Sequence, residues 1–221
     1  MILSSLRRPV RMIGLSSDEI IRRVAEDCPE VEDVLAHTVE MVPWCKRQVH
    51  ECEAACIYWL ASRLEGDQAL EIGTAWGYSA AVIAQAMPEA KLVTLNPKPS
   101  EVRLAREHLA GWPNVRVVEQ LSAEYLDEYD GPLLSLVFVD GDHRRAGVLL
   151  DCQWFNWLAV GGLILFHDYS DAGTRRPCPS VKQVVDAFSE SLGRPPDVLI
   201  IDDGGVGIAG FHRRPEEVWL G

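Results

Sequence analysis

The carboxylates, imidazoles and glycines of this chain follow its apolar runs. The stretch "ALEIGTAWGYSA" ends one such run at Glu71 and Gly73, then adds Gly77, Tyr78 and Ser79. Asn96 follows "KLVTL", Ser122 follows "VRVVEQL", Asp140, Asp142 and His143 follow "LLSLVFV", and His167, Asp168 and Tyr169 follow "GGLILF". Glycines at 73 and 77 let a strand turn tightly into a helix whose first N–H groups lack internal partners, an arrangement that suits a small charged ligand. Asp140 and Asp168 each end an apolar run. Two carboxylates on adjacent strand ends repel unless a cation lies between them, and oxygen donors suit Mg²⁺. His167 as a third ligand would tilt the preference toward Mn²⁺, Zn²⁺ or Fe²⁺. The structural alternatives are a close-packed turn at the glycines, D-G-D turn chemistry at 140 to 142, and a packed strand-end histidine at 167.

Elements must bring these residues together. From residue 68 the apolar runs are short, β-branched or leucine-rich, and separated by helical segments or loops, which predicts right-handed βαβ units and a mainly parallel sheet covered on both faces. Ligands of such sheets bind beyond the carboxyl ends of the strands, where the winding reverses. Helices are predicted over Tyr78 to Ala86, Ser100 to Ala110, about 144 to 158, and Ser180 to about 191. In the tail "DVLIIDDGGVGIAGFHR", two apolar runs joined by Asp-Gly-Gly predict a hairpin and an antiparallel last strand. Residues 16 to 64 read as helices before any strand. Ser16 and Glu19 have capping-box spacing, a second helix covers about 30 to 41, and "RQVHECEAACIYWLASRLEG" carries Val49, Cys52, Cys56, Leu60 and Leu64 at helical spacing. The expected architecture is α/β: a Rossmann-like, doubly wound seven-stranded sheet, mainly parallel with an antiparallel C-terminal strand. An N-terminal helical cap over 1–64 precedes the sheet domain of 65–221, the two forming one compact unit.

Composition limits the partners. A chain of 221 residues, 48% of them hydrophobic, can bury one sizeable core, and a formal net charge of −12 argues against nucleic acid or an anionic membrane. No run approaches the ~18 apolar residues of a membrane span, and the basic start "MILSSLRRPVRMIGL" lacks the apolar region of a secretory signal, so a cytoplasmic location is expected. Cysteines 28, 45, 52, 56, 152 and 178 form no CxxC pair and read as reduced core thiols. Trp44, Trp59, Trp76, Trp154 and Trp157 read as core or lid, with Trp76 inside the glycine turn. Arg175 and Arg176, on a loop beside the strand ends, read as solvated or as holding an anionic substrate.

The segment "LEIGTAWGYSA" resembles the first motif of class I S-adenosylmethionine-dependent methyltransferases. "VFVDGDHRRAGVLLDCQWFNWLAVGGLILFHDY" is similar to the fourth-to-fifth-strand segment of their small-molecule O-methyltransferases, including the macrocin and mycinamicin sugar O-methyltransferases and the cephalosporin-hydroxylase-like proteins. The resemblance spans about 48 to 212. It implies that Glu71, Gly73 and Gly77, with Thr74, Tyr78 and Ser79 lining the turn, hold the methionine part of the cofactor. It also implies that Ser122 and Ala123 contact adenine and that Asp140 lies at the cofactor. Where the family usually has an acid for the ribose hydroxyls this chain has Asn96, and an aspartate there is expected to preserve or improve affinity. A dinucleotide dehydrogenase would instead want G-x-G-x-x-G and an acid ending the second strand.

The resulting expectation is methyl transfer from S-adenosylmethionine to a small-molecule hydroxyl. Asp140, Asp168 and His167 are the candidate ligands of Mg²⁺ or Mn²⁺, and His143, then Asp142, the candidate base, with Asp140 beside them. The helical cap is expected to contribute to the acceptor pocket and to a homodimer. The alternatives are a metal-independent methyltransferase acting on another atom and a non-catalytic scaffold or binding protein of the same fold.

Overall fold

The structure is a computed structural model that describes residues 9–43 and 49–220. Trp44 and Cys45 lie outside the described residues. In chain order the elements are β1 (Val10–Leu15), α1 (Ser17–Asp27), α2 (Val31–Met41), α3 (Glu51–Ala61), β2 (Gln68–Ile72), α4 (Tyr78–Ala86), β3 (Lys91–Leu95), α5 (Pro99–His108), β4 (Val115–Val118), α6 (Ser122–Asp127), β5 (Leu134–Val139), α7 (Arg145–Asp151), β6 (Leu158–Phe166), α8 (Pro179–Ser191), β7 (Val198–Asp202) and β8 (Gly207–His212). They build one sheet in the order β1-β7-β8-β6-β5-β2-β3-β4. β8 pairs antiparallel with both β6 and β7, and the other strand pairs are parallel.

The α/β architecture and the antiparallel last strand are as the sequence predicts. The sheet has eight strands rather than seven, however, and a strand precedes the helices. Val10–Leu15 pairs with β7 along the sheet edge, with its register shifting at Gly14. Only Met12 of its six residues is buried, so the segment has no apolar alternation to announce it. Pairing with β7 makes it a strand, reinforced where the Arg11 guanidinium donates to the carbonyls of Pro196 and Asp197. The helix predicted over 144 to 158 stops at Asp151 and continues as a 3-10 turn to Trp157.

Two cores cover the two sheet faces. On one face, α1, α2 and α3 pack with α4 over Leu92, Leu136 and Phe138; on the other, α7 and α8 cover Leu70, Val137 and Ile164. The capping box at Ser16 and Glu19 starts α1. Small residues let α3 and α4 lie close: Ala54, Ala55, Cys56 and Ala61 of α3, and Ala80, Ala81 and Ala84 of α4, are all buried. That contact fixes the start of α3 near the carboxyl end of the sheet. Among the described residues, no helix is long and apolar enough to cross a membrane.

Deleting residues 1–15 uncovers the backbone edge of β7. The shortened protein is expected to stay folded but to melt lower, by roughly 2–4 °C per kcal/mol lost, and to self-associate through the open edge. Thermal unfolding and size-exclusion chromatography check this; an unchanged midpoint in a monomeric product would show that β1 adds nothing to the sheet.

Candidate active site

The winding reverses between β2 and β5, which are neighbours in the sheet although α4, β3, α5, β4 and α6 separate them in sequence. The Asp140 N–H donates to Ile72 O at 2.8 Å, so the ends of the two strands are locked side by side. Gly73 has φ +105°, and a Cβ there would lie 2.0 Å from Asp140 O. Gly77, at φ +99°, is the N-cap of α4 and gives that helix no side-chain cap. Between them Ala75 also has positive φ, at 44°. The loop is therefore a strained backbone cradle leading into an uncapped helix start, suited to an anionic or dipolar ligand.

Glu71 lies under this cradle and is fully buried. Thr94 Oγ1 donates to Glu71 Oε2, and Thr74 Oγ1 bonds to Thr94 in turn. Glu71 Oε1 has no hydrogen-bond partner among the described residues. Burial, helped by the nearby charge of Asp140, lifts the Glu71 carboxyl to about 7. Tyr78 and Ser79 are buried at the start of α4.

Asn96, at the end of β3, turns into its own loop: its Oδ1 accepts from the Lys98 N–H at 2.9 Å and its Nδ2 donates to Glu101 Oε2 at 2.9 Å. A carboxylate thus stands next to the position where the resemblance expected one, carried by Glu101 of α5. Ser122 uses its hydroxyl structurally, donating to Asp151 Oδ1 at 2.5 Å and accepting from Trp154 Nε1 at 3.0 Å. Ser122 and Ala123 open α6, with the Ser122 side chain turned toward α7.

The ends of β5 and β6 meet helix α3. Asp140 Oδ1 accepts from His143 Nε2 at 3.2 Å and from His167 Nδ1 at 3.0 Å. On its other side, His167 Nε2 is 3.0 Å from Glu53 Oε2, a charge contact too poorly aligned to be a hydrogen bond. Burial alone would lower the pKa of His167, but the charges of Asp140 and Glu53 outweigh it and raise it well above 6.5. Asp140 is held below its ordinary value: burial opposes ionisation, but His167 and His143 more than compensate. Asp168 has the left-handed φ of 53°. Its Oδ1 lies 3.6 Å from His167 Nδ1 and 3.3 Å from the Arg176 guanidinium, and its Oδ2 lies 3.5 Å from His143 Nδ1. Donor atoms of Asp140, His167 and Asp168 all fall within 4.8 Å of one another.

Two predicted residues face elsewhere. Asp142 binds the guanidinium and N–H of Arg144, an arrangement that lowers its pKa and holds it at the entry to α7, away from the cluster. Arg175 pairs with Asp202 at 2.7 Å. Glu53 and Cys178 belong to the cluster but escape a sequence reading. Glu53 looks like an ordinary acid in a first helical turn, and it does cap α3, accepting from the His50 N–H at 2.8 Å. The available signal was an acid inside "CEAACIYWLA", a helix otherwise apolar all round.

Residues 70–169 match the family described as a methyltransferase domain. No curated protein sequence matches the chain. Among solved structures, the O-methyltransferase from Bacillus cereus in complex with SAH is 15% identical, with 84% of this chain and 91% of that one covered at a TM-score of 0.59. The O-methyltransferase TomG from Streptomyces achromogenes, involved in tomaymycin synthesis and in complex with SAM, is 18% identical over 81% of this chain and 89% of that one, with a TM-score of 0.60. The domain match covers a little under half of the chain, residues 70–169, and over most of its length the chain shares the fold of these two structures.

Three outcomes follow from this geometry. Gly73→Ala should destabilise the protein by several kcal/mol and abolish cofactor binding, because neither the positive φ nor the Asp140 carbonyl can yield to a Cβ; unchanged melting and affinity would contradict the cradle. In the free protein Glu71 holds a proton that the unfolded chain has released, so its contribution to stability falls as pH rises from about 4.5 to about 7. Glu71→Gln should flatten that part of the stability-against-pH curve, a difference on the order of 3 kcal/mol. Asn96→Asp, which the sequence alone favoured, would set a second carboxylate against Glu101, and calorimetry should show weaker cofactor binding.

Proposed function

We propose that the chain transfers a methyl group from S-adenosylmethionine to a hydroxyl of a small molecule, assisted by Mg²⁺ or Mn²⁺ held by Asp140, Asp168 and His167. The observation that carries this reading is the convergence of those three donors within 4.8 Å at the strand ends beside the Gly73 cradle. Asp168 Oδ1 is buried without a hydrogen bond among the described residues, as a ligand atom would be. That both solved structures named above are O-methyltransferases supports oxygen as the acceptor atom.

The orphaned Glu71 Oε1 and the uncapped start of α4 fit the cofactor. Glu71 would face the ammonium of its methionine part, and Glu101 beside Asn96 would face its ribose. The bound cofactor supplies a sulfonium methyl group open to in-line attack by oxygen. A divalent ion supplies Lewis acidity that lowers the acceptor's pKa and fixes its oxygen. His143 takes the acceptor's proton: its ring is 38% exposed, oriented by Asp140, and pulled above its ordinary pKa chiefly by that hydrogen bond. Holding donor and acceptor in attack geometry can supply roughly 7 to 11 kcal/mol. The same reading has the protein working in the cytoplasm as a homodimer paired through its helical region, where Val39 and Met41 of α2 are exposed.

A second reading has its own support. His167 already lies against Asp140 and Arg176 against Asp168, contacts that would offset the two carboxylates and let methyl transfer proceed without metal. Turnover across a panel of sugar, phenol and polyketide hydroxyls, followed as demethylated cofactor, tests the two. The metal-assisted reading expects chelator to remove most activity and Mg²⁺ or Mn²⁺ to restore it, with Asp140→Ala inactive yet still binding cofactor. Full turnover in excess chelator would leave the metal-free reading. No cofactor binding at millimolar concentration would leave only a scaffold.

A further inference from the structure

The charged cluster has a second side, at the start of α8, where Cys178 joins it. Cys178 Sγ, at the start of α8, lies 3.8 Å from His143 Nδ1, and that same nitrogen lies 3.5 Å from Asp168 Oδ2. All three donors fall within 4.8 Å of one another. A tetrahedral zinc ion with ordinary bond lengths separates a sulfur and a nitrogen ligand by about 3.6 Å, and a nitrogen and an oxygen ligand by about 3.3 Å. These two spacings are within a few tenths of an ångström of those values, and the third pair lies within 4.8 Å, so modest side-chain movement would let the three close on an ion. The donors also differ in kind from the Asp140, His167 and Asp168 set. Adding a thiolate makes the site soft and selects zinc-like ions over Mg²⁺. Asp168 would serve both positions through different oxygens, since Oδ1 faces His167 and Arg176 while Oδ2 faces His143.

We propose that His143, Asp168 and Cys178 form a separate binding site for a thiophilic divalent cation such as Zn²⁺. The site stands on its own geometry, whether or not the chain transfers methyl groups. One consequence rests on the functional reading above: an ion there occupies the Nδ1 of the proposed base and so inhibits turnover.

Cobalt(II) titration of the full-length protein tests the site directly, because a cysteine thiolate bound to Co²⁺ gives a sulfur-to-metal charge-transfer absorption that nitrogen and oxygen ligands do not. The expected result is that absorption in the wild type, its loss on adding Zn²⁺, and its retention in Asp140→Asn, whose amide oxygen can still accept from His143 Nε2 while the carboxylate of the other ligand set is gone. Cys178→Ala should remove it and weaken cobalt binding by at least the about 10–100-fold that loss of an outer-shell partner costs. A wild-type protein that takes up cobalt without the sulfur band, or a band that survives in Cys178→Ala, would overturn the site. Either failure would leave the chelator and turnover results, and the methyl-transfer reading, as they stand. A sulfur band without zinc inhibition would uphold the site and count against His143 as the base.

Discussion

The buried imidazole ring of His167 ties the architecture together. It lies between Asp140, at the end of β5, and Glu53, in the first turn of α3, and so joins the sheet to the N-terminal helices by charge at the point where ligands of such sheets bind. Both pairings are almost fully removed from water, so neither carboxylate can be deleted cheaply: breaking a buried pair typically costs about 3–5 kcal/mol because the remaining charge is stranded. The fold answers this on both sides. Small residues in α3 and α4 let α3 approach closely enough for Glu53 to reach the ring, and the short N–H contact from Asp140 to Ile72 fixes the opposite carboxylate.

The same crowding shapes the cofactor side. Because β2 and β5 touch at their ends, the residue after β2 has no room for a side chain, and the chain turns through left-handed conformations at Gly73, Ala75 and Gly77. Glu71 is trapped beneath that turn with one oxygen bonded through Thr94 and the other unpaired. An acid near neutrality at about 7 is poised to ionise when a cationic group arrives, whereas an always-charged carboxylate would have demanded a permanent partner. Strain, burial and an incomplete hydrogen-bond shell thus gather where a charged ligand would relieve them.

The loop after β6 carries the remaining balance of charge. Asp168 adopts a left-handed backbone, which aims its two oxygens at different neighbours: one toward His167 and Arg176, the other toward His143. Arg175, one residue before Arg176, is drawn away to Asp202. Two adjacent arginines that look equivalent in the sequence therefore do different jobs, one holding the tail of β7 and the other facing the site.

Local patterns along the chain specify the strands β2 to β8, the helix starts at Ser16 and Tyr78, the antiparallel last strand, and the strand-end positions of Glu71, Gly73, Asp140, His167 and Asp168. Each of these is written in local period, capping chemistry or turn residues, which act over a few positions. β1 was not legible because an edge strand with one buried residue is made by its partner rather than by its own pattern. Glu53 was not legible because nothing near residue 53 records that α3 will lie against the end of β6, more than a hundred residues later. Asp142 and Asp140 look alike in "VDGDH", yet one faces His167 and the other Arg144, a choice made by the direction of the chain as it leaves β5. Which polar groups met, and which were buried with or without partners, was decided by packing across the sheet, and that depends on contacts no local stretch contains.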